Sequence, residues 1–140
     1  MVEINNQTKS QIDLKKIKLI AEKFISASRY KKTSVSIAFV GDAVMQKMNK
    51  ATRGYDKPTD VLSFPEEVET RKEFLGEVII DYAQIKRQAK DFSDSTEEEL
   101  IFILVHGLYH LLGYDDATES GKIKMEKLGK KFISNLNQKK

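Results

Sequence analysis

The chain's two histidines, His106 and His110, stand four residues apart in a stretch that reads as a helix. Side chains at that spacing lie one turn above each other on one face, so both imidazoles can meet at a common point. A neutral imidazole nitrogen is a good zinc ligand at about 2.0–2.1 Å. The pair alone decides little, because two histidines on one helical face also occur as packed core residues. The residues after His110 weigh more. Gly113 stands where the helix needs a residue able to adopt positive φ, so the chain can turn out sharply. Asp116, three residues on, offers a carboxylate that such a turn can return toward both rings.

The run H-x-x-x-H-x-x-G-x-x-D has the spacing of the H-E-x-x-H-x-x-G-x-x-H signature of one class of zinc proteases, with aspartate as third donor. Three protein ligands with a fourth position open to water describe a catalytic site rather than a closed structural one. The competing role for Asp116 is an N-cap of the last helix, which Asp115 or Thr118 can fill equally well. Gly107 stands where those proteases carry their glutamate base, so peptide hydrolysis by their route is disfavoured. A mid-helix glycine costs about 1 kcal/mol relative to alanine. Its compensation is either space beside the metal for a bulky substrate or a close approach of another element, and the sequence leaves both open.

The elements that must position these residues emerge from periodicity. Residues 100–105 are apolar on every side of a helix, which places that helix in the middle of a domain. Ser95 and Glu98 form a capping box that opens it, and it runs to Leu112. Helical spacing also predicts helices over 13–29, 43–53, 81–92 and 118–136, with Gly41-Asp42 as turn and N-cap and Asp81 as a further N-cap. Strands are expected at 2–4, 33–40 and 74–80, with a short extended piece at 61–64. Such a mixture gives an α+β (α/β-like) sandwich with one small sheet.

The 140 residues suit one domain spanning the whole chain, and 40% apolar content is ordinary for a packed core. The absence of cysteine excludes a disulfide framework, a thiolate metal site and a cysteine nucleophile, and is compatible with a reducing compartment. The N-terminus lacks the pattern of a signal peptide, and no apolar run is long enough to span a bilayer. A cytoplasmic protein with no membrane association is therefore expected. The net charge of +3 is mild, with basic clusters at 15–18, 30–32, 86–87 and 122–140. They are ordinary solvated faces that also permit an anionic partner such as RNA.

Residues 106–116, HGLYHLLGYDD, resemble the H-G-x-L-H-L-x-G-Y-D-H signature of the YbeY family of bacterial endoribonucleases. Asn49 and Arg53, followed by PTDVLSFP at 58–65, resemble a second block of that family, and LGEVII at 75–80 a third. The resemblance implies a zinc-dependent endoribonuclease that prefers single strands and acts in maturation of the 3′ end of small-subunit ribosomal RNA and in ribosome quality control. It implies a small mixed four-stranded sheet packed with about five helices, the metal-bearing helix central and the site zincin-like. Carried onto this chain, it makes His106, His110 and Asp116 the ligands of one divalent ion, most simply Zn2+, and His106, His110 and Arg53 the catalytic residues. The implied partners are single-stranded regions of ribosomal RNA and the small subunit, with a ribosomal protein or an assembly GTPase as further candidates.

Two positions depart from the motif. Asp116 replaces its usual histidine, giving a two-histidine, one-carboxylate donor set that is also known from non-haem iron oxygenases. Tyr109 replaces a leucine, and its hydroxyl needs a partner if buried. Arg53 is a candidate to clamp a phosphate, because a guanidinium fits phosphate bidentately, and is also an ordinary cation for a helix C-terminus. Glu77 and Asp115 are the candidates for general acid or base, while Thr59, Asp60 and Ser63 are expected to fix a loop beneath the site. Two other readings remain: a non-catalytic ribosome assembly factor with a structural metal, and a metallohydrolase acting on another substrate.

Overall fold

A computed structural model describes residues 1–30, 32–66, 73–92 and 94–138. In chain order the elements are β1 (Val2–Asn6), α1 (Leu14–Ala27), β2 (Ser34–Val40), α2 (Asp42–Arg53), β3 (Val61–Pro65), β4 (Phe74–Asp81), α3 (Tyr82–Asp91), α4 (Thr96–Leu111) and α5 (Glu119–Gln138). The strands form one sheet in the order β1-β2-β4-β3; β2 runs parallel to β1 and β4, and β3 is antiparallel to β4. The fold is thus α+β, with a mixed four-stranded sheet and five helices among the described residues.

Burial explains the arrangement. In β2 the side chains of Val35, Ile37, Ala38, Phe39 and Val40 are all buried, as expected for a strand covered on both faces. The larger core lies on one face of the sheet, where Val78 and Ile80 meet α1 and α4; Ala38, Leu62 and Ile79 on the other face pack with Met45 of α2. α4 packs against α1, α3, α5, β3 and β4, so the helix that carries the apolar run 100–105 is indeed in the middle. The Ser95 capping box is present, with Glu98 N–H donating to Ser95 Oγ and Ser95 N–H donating to Glu98 Oε1, each at 3.0 Å.

α1 ends two residues earlier than periodicity predicts, because the Ser28 amide and hydroxyl both turn back onto the Ile25 carbonyl. α2 begins one residue earlier than expected, with Gly41 rather than Asp42 at the N-cap. Asp42 sits inside the first turn because its carboxylate has a better partner than its own backbone. Arg87 of α3 donates to it bidentately, at 2.8 and 3.1 Å.

That ion pair adjoins a buried carboxyl. Asp81 caps α3 by accepting from Gln84 N–H at 3.3 Å, and its side chain is wholly buried. Burial, and then the neighbouring Asp42 carboxylate, push its pKa up to about 7, while Arg87 holds Asp42 down at about 2. Asp81 Oδ2 is buried without a hydrogen-bond partner, the setting in which a carboxyl keeps its proton. Asp81 keeps a proton in the fold that the unfolded chain releases near 3.8, so its contribution to stability is complete below that pH and is lost as pH rises through about 7. Asp81→Asn keeps the cap and removes the group that must lose its buried proton. At pH 8 it should raise stability by on the order of 1–2 kcal/mol and flatten the decline between pH 4 and 7. Thermal unfolding of both proteins across that range checks this, and an unchanged slope in the variant would refute it.

Candidate metal centre

The end of α4 is built to return the chain. Gly113 has φ +101, its N–H donates to the His110 carbonyl at 3.0 Å, and Tyr114 N–H donates to the Tyr109 carbonyl at 3.2 Å. Those two bonds are the Schellman closure that a positive-φ glycine permits. They set the Tyr114 carbonyl 3.0 Å from His110 Nδ1. With Nδ1–H donating to that carbonyl, the lone pair of His110 Nε2 is left facing the opposite way. It faces His106 Nε2 at 3.2 Å, the rings nearly perpendicular at 80°.

Asp116 completes the group. Its carboxylate oxygens lie 3.4 Å from His106 Nε2 and 4.0 Å from His110 Nε2. The competing capping role does not engage it: Thr118 Oγ1 accepts from Gly121 N–H at the start of α5, and Asp115 Oδ1 accepts from Ala117 N–H. Donors about 2.0–2.1 Å from one tetrahedral centre stand about 3.3–3.4 Å from each other. The observed separations of 3.2, 3.4 and 4.0 Å are close to that spacing, so the donor set fits a divalent cation. Burial, and then the neighbouring His106 ring, lower the His110 pKa and favour the neutral imidazole that a metal needs. Side-chain exposure of 21% for His106, 25% for His110 and 47% for Asp116 leaves one side of the group facing solvent.

That open side is the floor of a cleft of about 1040 Å3, walled by β3, by the end of α2 and by α5. Arg53, the last residue of α2, lines it together with both histidines, Asp115 and Asp116. Glu77 does not. Val78 faces α4, where it meets Gly107, and alternation along β4 turns its neighbour Glu77 to the opposite face of the sheet. Phe102, one turn before His106, stacks beside its ring at 6.4 Å, a relation that helical spacing could have revealed. Lys122 and Glu126 of α5 also line the cleft, and nothing local in the sequence marks them.

Gly107 allows a close approach rather than an open substrate space. A Cβ there would lie 3.0 Å from Val78 Cγ1 and 3.2 Å from both Ser63 Oγ and Val61 Cγ2. α4 is thus seated directly on β3 and β4, and Ser63 Oγ donates to the Gly107 carbonyl at 3.0 Å. Asp60 Oδ2 accepts from Gln88, and its carbonyl accepts from Asp81 N–H, so the residues before β3 are tied to α3 and β4. Tyr109 packs edge-on against Phe24 at 4.8 Å, and its hydroxyl donates to the Leu128 carbonyl.

Known proteins resemble this chain over most of its length. Residues 3–137 match the family model described as Endoribonuclease YbeY. Among curated relatives named Endoribonuclease YbeY, one from Thermodesulfovibrio yellowstonii is 38% identical, covering 95% of this chain and 94% of its own. Another, from Sulfurihydrogenibium sp., is 39% identical over 92% of this chain and 88% of its own. A Thermotoga maritima protein solved in solution superposes with a TM-score of 0.70 at 28% identity, covering 95% of this chain and 87% of that one. The match takes in the glycine-cornered helix, the strand beneath it and nearly everything between the termini, and the chain belongs to the endoribonuclease YbeY family.

Proposed function

We propose that this protein is a metal-dependent endoribonuclease, specific for single strands, that holds one Zn2+ through His106, His110 and Asp116. The observation that carries the reading is the spacing of the three donor atoms at the bottom of an open cleft. When bound, a divalent ion supplies Lewis-acid chemistry there, polarising a phosphoryl oxygen and acidifying a water or a ribose hydroxyl. The chain's own residues hold and orient. The Tyr114 carbonyl fixes the His110 tautomer, and Ser63 pins the helix that presents both rings. Arg53 reaches into the same cleft, where its guanidinium binds the scissile phosphate and offsets charge that builds there. With Glu77 on the far face, Asp115 is the remaining general acid or base of the two carboxylates that the sequence offered.

The whole chain then serves as one cytoplasmic metallohydrolase domain. Its substrates are single-stranded regions of ribosomal RNA on the small subunit, with action at the 3′ end of that RNA and in ribosome quality control. A ribosomal protein or an assembly GTPase is its protein partner. Dialysis against a chelator should stop cleavage of single-stranded RNA, and Zn2+ should restore it, with duplex RNA and single-stranded DNA cut far more slowly. Equal cleavage before and after chelation, or equal cleavage of peptide, would defeat the reading.

A further inference from the structure

Gly54 closes α2 in the left-handed conformation, at φ +79, and sends the chain into a short loop carrying Tyr55. Three side chains of α2 fasten that loop. Gln46 Nε2 donates to Asp56 Oδ1 at 2.9 Å, Lys50 pairs with Asp56 at 3.9 Å, and the buried Asn49 donates to the Lys57 carbonyl at 2.9 Å. Tyr55 is 54% exposed, and two cations lie over its ring: the Arg53 guanidinium at 5.7 Å and Lys57 Nζ at 5.9 Å from the centroid.

Arg53 links this ring to the cleft that holds the histidines, since its side chain lines the one and flanks the other. We infer that Tyr55 is a base-stacking platform for the nucleotide next to the scissile phosphate, with Lys57 binding that nucleotide's phosphate. An aromatic face between cations is the common device for holding unpaired nucleotides. Every base offers a π-face, and the cations follow the backbone. A base stacked in a duplex cannot present that face, so the platform favours single strands irrespective of sequence. The inference rests on the proposed ribonuclease reading and names how that site selects its substrate.

The test uses the zinc-loaded protein, a single-stranded RNA oligonucleotide and a duplex containing the same strand. Tyr55→Ala should raise KM and the dissociation constant for the single strand about ten-fold, leaving kcat within about two-fold. Tyr55→Trp should bind at least as tightly as the parent, and the duplex affinity of both variants should be unchanged. A 2-aminopurine beside the cleavage position should be quenched by the parent and by Tyr55→Trp but not by Tyr55→Ala. Matching unfolding temperatures establish that the exposed ring is not a folding determinant. If Tyr55→Ala binds the single strand as the parent does, or weakens single strand and duplex alike, the platform is wrong while the ribonuclease stands. If the parent itself neither binds nor cuts single-stranded RNA, both fall together.

Discussion

His110→Ala should reduce RNA cleavage by more than about 100-fold and leave the purified protein without its metal. Removing a group that merely orients a ligand already costs about 10–100-fold in affinity or activity, and His110 is placed as a ligand itself. Its loss leaves one imidazole and one half-exposed carboxylate 3.4 Å apart, too few donors to compete with water for a divalent ion. Folding should largely survive, because the ring is a quarter exposed and the core beneath it belongs to Leu104, Leu108 and Leu111. RNA binding should also survive within a few-fold, since Arg53 and the loop after it do not depend on the histidine. Metal analysis of the variant, paired with cleavage and binding assays, separates the possibilities. Retained cleavage would rule out the metal centre as the seat of chemistry, and retained metal with lost cleavage would relocate the ligand set.

The contrast between His110 and Asp116 shows what the sequence can carry. The two histidines and Gly113 are legible because helical spacing and the glycine corner are local, fixed by backbone geometry over a few residues. Asp116 is less so. Three polar residues after the corner can each cap α5, and only the hydrogen bonds of Asp115 and Thr118 show that Asp116 is spared. For Gly107 the sequence offers a close approach and a substrate space without choosing, since the choice depends on Val61, Ser63 and Val78 arriving from two strands distant in sequence. The same holds for Glu77: alternation places it opposite Val78, but nothing local tells which face the helix will cover. Asp42 reads as a helix cap only for want of Arg87, which reaches it from another helix. Local devices are visible in the sequence, and pairings between elements have to be seen in the fold. The strand at 75–80 resembles the family's without disclosing why a glycine stands within it.

Gly76→Ala should be the most destabilising of the glycine-to-alanine changes, costing more than about 3 kcal/mol in urea denaturation. Gly76 has φ +138, which an L side chain rarely adopts and which costs on the order of 1–3 kcal/mol to enforce. It pairs with Pro65 of the edge strand β3 on one side and with Val35 of β2 on the other, next to a register shift between Ser34 and Val35. A methyl there would fall on the Phe64 carbonyl oxygen, with Pro65 Cα at 2.9 Å and Leu111 Cδ2 at 3.0 Å. Two of those atoms are backbone, so relief requires β3 to shift rather than a side chain to rotate, and overpacking adds about 1–3 kcal/mol. β3 also carries Ser63 and Val61, the residues against which Gly107 is seated, so the displacement reaches the helix that aims both histidines. Metal affinity should therefore fall along with stability. Gly129→Ala is the matched control. Its Cβ meets only Val105 Cγ1 at 3.8 Å, an ordinary contact made from within α5, and alanine's better helix propensity should stabilise by up to about 1 kcal/mol. Equal effects of the two substitutions would mean that β3 does not lie against Gly76 as described, and the seating of the histidine helix would have to be sought elsewhere.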